Sequence, residues 1–112
     1  MKITNKKLDI LYSECLKLIK NKKSDFFVLR KMRKTVGLCY EDDHLEFDYR
    51  KDIIPTAFHE CFHQLYPDWS ETKVKYVESR IINYLPPIKI AEFLFYFSKK
   101  LYQSECRKLI ID

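Results

Sequence analysis

A chain of 112 residues has room for one domain, and 46% hydrophobic and 15% aromatic residues with a single Gly exclude a disordered or low-complexity protein. The net charge is +5, from 21 Lys and Arg against 16 Asp and Glu. An excess of that size permits contact with nucleic acid or an acidic partner, and it equally describes solvated helix faces. The longest apolar run, Ile90 to Phe97, contains Glu92 and is too short to span a bilayer, so no membrane partner is expected.

Residues 1–23 carry Lys and Asp throughout and do not form a secretory signal. Cys15, Cys39, Cys61 and Cys106 make no CxxC pair, which argues against a cysteine zinc knuckle. Free thiols in a reducing compartment are the expectation, and with it a cytoplasmic location.

In chain order, residues 4–22 form the first predicted helix. Leu8, Leu11, Tyr12, Cys15, Leu18 and Ile19 recur at three- and four-residue spacing, and Thr4 or Asn5 can cap the start. Residues 26–32 are short and begin with β-favouring Phe26, Phe27 and Val28. Val36 to Tyr40 and His44 to Asp48 flank the acidic stretch Glu41-Asp42-Asp43, the pattern of a β-hairpin. The lone Gly37 suggests a bulge or a close approach.

Residues 52–66 form a second helix, with Pro55 in its first turn. Tyr66-Pro67-Asp68-Trp69 breaks it, and Ser70 is an N-cap for a third helix from Glu71 to about Leu85. Pro86-Pro87 stops that helix. A fourth runs from Ile88 to about Gln103, followed by a short tail. The expected class is α+β: a helix, a small sheet of about three strands, then three helices in a single domain spanning 1–112.

Residues 59–63 spell H-E-x-x-H. On a helix, His59 and His63 lie on one face a turn apart, where two imidazoles can reach one Zn²⁺. Glu60 is the candidate general base, taking a proton from metal-bound water and passing it to the leaving amine. The alternative is a pair of helix histidines facing solvent.

A catalytic zinc site usually has three protein ligands. His44 lies in a predicted strand, so the third ligand is sought on the third helix. With Val74 at 0°, a step of 100° per residue puts Glu78 at about 40°, inside the arc of Val77, Ile81, Ile82 and Leu85. A carboxylate on an apolar face needs a partner, and a zinc ion is one; an ion pair at the core rim is another. Glu71 lies at the edge of the same face, but its first-turn position suits the helix dipole. Asp68 is a weaker candidate. Tyr66 and Tyr76 can donate to a developing oxyanion, while Cys61 falls on the buried stripe.

The run Gly37-Leu38-Cys39-Tyr40, the strand ending at Asp48, and Thr56 to Glu71 around the motif resemble small gluzincin-like zinc metallopeptidases. Many of those are encoded by phages, viruses and mobile elements. The resemblance covers about residues 36–82. It implies a zincin-like fold, His59, His63 and Glu78 as zinc ligands, and Glu60 as general base. It also implies an extended peptide or protein substrate bound along His44 to Asp48 by strand addition. A monomer, or a homodimer supplying the second cleft wall, fits the small size. Two further functions are open: a non-catalytic zinc-stabilised protein that binds a partner or nucleic acid, and a regulator that clears a repressor-like protein.

Overall fold

The computed structural model describes residues 2–30, 37–40, 44–48 and 52–111. Helix α1 spans Asn5–Asn21, and Thr4 caps it by accepting from the Lys7 amide at 3.1 Å. A short 3-10 turn, Ser24–Phe26, leads into strand β1, Phe27–Arg30. Strands β2, Gly37–Tyr40, and β3, His44–Asp48, follow. Then come α2, Ile53–Leu65; α3, Glu71–Tyr84; and α4, Pro87–Ile111. Val36 and Glu41-Asp42-Asp43 lie outside the described residues.

Each helix boundary has a local cause. Thr56 Oγ1 donates to the Asp52 carbonyl at 2.7 Å and ties down the start of α2. Pro55 fits there because an early-turn residue needs no intrahelical amide bond. Ser70 Oγ accepts from the Lys73 amide at 3.1 Å, which fixes the first turn of α3. Trp69 stacks on Tyr66 with ring centroids 4.3 Å apart and holds the turn between α2 and α3.

Four helices form the body. Among the described residues the buried core is Leu8, Leu11, Tyr12, Cys15 and Ile19 from α1, Ala57, Phe58, Cys61 and Phe62 from α2, and Val74, Val77 and Ile81 with Leu85 from α3 and its cap. Phe93, Phe97 and Leu101 complete it from α4, with Phe26, Phe27 and Leu45 from outside the helices. Phe58 and Phe93 stack at 4.0 Å in the centre. Fully burying such a side chain is worth about 1.5–3 kcal/mol relative to leaving it exposed.

This distribution corrects the expected α+β, zincin-like class. The fold is helical: the helices supply nearly all of the described core, and the strands, of four or five residues each, contribute Phe27 and Leu45 to it. The physical reason is the long uninterrupted apolar stripes of α1 to α4, which bury one another and leave the strands as a small ladder on α2 and α4.

The ladder also differs from expectation in a way that bears on function. Its order is β1-β3-β2. β3 pairs with β2 antiparallel, Gly37 opposite Phe47 in an unbroken register, and with β1 parallel, Phe27 opposite Leu45. His44 to Asp48 is therefore the central strand. Both its edges are taken, and it cannot receive a substrate strand as expected.

Helix α4 also runs further than predicted. No Gly or Pro follows Pro87 to stop it, and residues expected as a tail continue the helix, with Ser104 buried. Among the described residues, no helix is long and apolar enough to cross a membrane.

Candidate metal centre

The Tyr66–Ser70 turn folds α3 back along α2. One helical turn separates His59 from His63, and two separate Glu71 from Glu78, so the two pairs meet across the helix interface.

His63 Nε2 lies 3.1 Å from His59 Nε2 and 2.9 Å from Glu71 Oε2. His59 Nε2 lies 2.7 Å from Glu71 Oε1. His59, His63 and Glu71 thus bring one ligand atom each to a common point, all within 4.8 Å of one another. Two donors on a tetrahedral zinc stand about 3.3 Å apart when the bonds are about 2.0–2.1 Å. The three side chains match that set closely.

Glu78 takes a different position from the one expected. Its Oε2 is 2.8 Å from His59 Nδ1, on the opposite side of the ring from the convergence point. The helix-phase argument puts Glu78 on the face turned toward α2, and there it meets His59 at Nδ1 and not at the point where the two Nε2 atoms converge. A carboxylate there accepts from Nδ1–H, and Nε2 is the ring nitrogen that faces the convergence point. The carboxylate that meets both Nε2 atoms is Glu71, the residue that dipole reasoning assigns to capping. Two sequence signals point to it: it lies seven residues before Glu78, hence on the same face, and only a five-residue break separates α2 from α3.

The donor set asks for a cation. With Nδ1–H donating to Glu78, a neutral His59 directs a lone pair at the Glu71 carboxylate and at the His63 nitrogen. A proton or a metal ion relieves that repulsion. In the metal-free protein the His59 pKa is raised, chiefly by the hydrogen bond to Glu78, with burial opposing and the charges of Glu60, Glu71 and Glu78 adding.

Glu60 is 5% exposed. Burial is the main cause that pushes its pKa up, to about 7; Glu71 and Glu78 add to the rise and His59 opposes it. Glu71, in contrast, has a side chain 54% exposed, whereas that of Glu78 is 19% exposed. The centre is therefore open on the α3 N-terminal side and closed on the Glu78 side.

The remaining sequence candidates fall elsewhere. Tyr66 donates its hydroxyl to Glu14 of α1, and burial and that carboxylate raise its pKa, so it serves the α1–α2 contact and not an oxyanion. Cys61 is buried against Cys15, whose thiol pKa is raised by burial first and by Cys61 second. Asp68 is not in the cluster, and the side chain of His44 lies outside the described ones.

Comparison with family models, with curated proteins and with solved structures finds no match to this chain.

Proposed function

We propose that the protein is a zinc-dependent peptidase of the gluzincin-like kind, hydrolysing a protein or peptide substrate. His59, His63 and Glu71 hold the metal, and Glu60 is the general base. The observation that carries this reading is the convergence of two imidazole nitrogens and one carboxylate beside a buried glutamate. Three protein donors, not four, are the usual number for a catalytic zinc.

Bound there, Zn²⁺ supplies Lewis acidity, polarising a carbonyl and lowering the pKa of water at its open position. The chain's own residues do the rest. Glu78 fixes the tautomer and orientation of His59. Glu71, half exposed, leaves one side of the centre accessible. Glu60, buried next to His59, can accept a proton at its carboxylate and release it to a leaving amine.

Cleavage of a mixed peptide library by zinc-loaded wild type and Glu60→Gln tests this. Loss of a general base costs about 10²–10⁴-fold in rate, so the variant should retain zinc and lose cleavage. Equal cleavage by both removes Glu60 from the mechanism.

One observation favours a second reading, a non-catalytic zinc-stabilised protein that binds a partner or nucleic acid. β3, the strand expected to receive substrate, has neighbours on both edges. That reading predicts no cleavage by wild type and a large loss of stability on zinc removal.

A further inference from the structure

Helix α4 carries one face against the core and leaves another uncovered. Phe93, Phe97, Leu101 and Ser104 are buried, while Ile88, Leu94, Phe95, Tyr102 and Leu109 are 41–80% exposed. Four of those five sit seven residues apart: Ile88, Phe95, Tyr102 and Leu109. Small residues, Ala91 and Ser98, fall between the first three of them, giving a 3-4-3-4 spacing. Ala91, Leu94, Phe95, Ser98, Lys99 and Tyr102 line a shallow groove along the helix.

We propose that this face is the contact between two copies of the chain, paired antiparallel through α4. The spacing is the first reason. A strict seven-residue repeat drifts by about 20° per heptad on a straight helix, so the stripe winds and suits a second helix crossing it at about +20°. A flat lipid surface gives no reason for that winding.

Size alternation is the second reason. An antiparallel pair centred between Tyr96 and Phe97 sets Phe95 of one copy opposite Ser98 of the other. It likewise sets Tyr102 opposite Ala91. Every large ring then meets a small residue, which lets the helices approach and interdigitate. Charge gives a third reason. The same register brings Lys99 of one copy near Glu92 of the other, whose Oε1 accepts from Tyr12 at 2.7 Å while its side chain stays 37% exposed, and the two-fold axis makes this approach twice.

The buried area is sufficient. Leu94, Phe95 and Tyr102 each expose on the order of 100 Å², while Ile88, opposite Glu105 in this register, lies at the end of the contact. With the Lys99 stem and the small residues, an α4 pair covers roughly 1,000 Å² in total, the threshold for a specific protein–protein contact.

The test is sedimentation equilibrium of the full chain up to about 100 µM, for wild type, for Phe95→Glu combined with Tyr102→Glu, and for Lys99→Glu. Wild type is expected to form a reversible dimer. The double variant should be monomeric at the same concentration with unchanged helicity, because both rings are exposed. Lys99→Glu, which sets like charges together twice, should weaken the dimer about tenfold or more even if the double variant fails to fold. Each variant should keep the zinc content of wild type, which separates this contact from the metal centre. A wild type that stays monomeric overturns the proposal, as does a dimer that neither substitution affects. So does a monomer that binds phosphatidylserine-containing vesicles through this face.

Discussion

Glu60→Gln in the metal-free protein isolates the cost of the buried carboxylate. Glu60 is 5% exposed and its pKa stands at about 7 against an ordinary 4.5. A carboxyl group whose pKa is raised on folding binds more protons in the folded state. Its contribution to stability is therefore intact below about pH 4.5 and is lost as the pH rises through about 7. The gap of about 2.5 pH units is worth about 3 kcal/mol at 1.36 kcal/mol per unit. Gln has nearly the shape of the protonated acid and cannot ionise. In urea unfolding with a chelator present, wild type and variant should match near pH 4. By pH 8 the variant should be the more stable by up to about 3 kcal/mol. Adding zinc should shrink that difference, because a cation beside Glu60 favours its carboxylate. A difference that does not vary with pH, or a variant less stable than wild type at pH 8, refutes the assignment of a strained buried acid.

Glu78→Gln should weaken zinc binding by about tenfold to a hundredfold through loss of the charged partner of His59 Nδ1, measured by chelator competition. Glu71→Gln, which removes a donor, should cost more than that; the opposite order would make Glu78 the ligand. Phe93→Ala deletes the ring stacked on Phe58 and should lower unfolding stability by about 3–5 kcal/mol, and a loss below about 1 kcal/mol would contradict a close-packed centre. Ser70→Ala removes the cap of α3 and should cost about 1 kcal/mol in the same assay, with no change expected if the Lys73 amide is otherwise satisfied.

Much of the site is written in local spacing. His59 and His63 at i, i+4 and the Ser70 cap need only helix geometry. The 100° step also puts Glu78 on the inward face of α3, where it meets His59. It cannot say which nitrogen of the ring Glu78 meets, because that depends on how far α3 slides along α2. The slide is set by the Tyr66–Trp69 stack and the short turn, and it carries Glu71 over both Nε2 atoms. Dipole reasoning about Glu71 was sound as a local preference, but a charged residue in the first turn remains free to reach across to the facing helix.

The sheet was less legible for a related reason. Short β-favouring runs mark candidate strands, yet strand order depends on which run enters between the others. β1 joins β3 in parallel, a long-range pairing that no local pattern announces. The balance of the core was equally hidden. Phe93 and Phe97 lie one turn apart on α4 and Phe95 and Tyr102 two turns apart on its other side, both helical spacings, and only packing against Phe58 and Phe27 decides which face is buried.

The most direct test of the account is zinc stoichiometry on untagged protein for wild type, His63→Ala and Glu71→Ala. One zinc per chain in wild type, with both variants depleted, is the predicted result. Equal zinc in wild type and His63→Ala, or no zinc in wild type after loading, would contradict a metal centre at His59, His63 and Glu71.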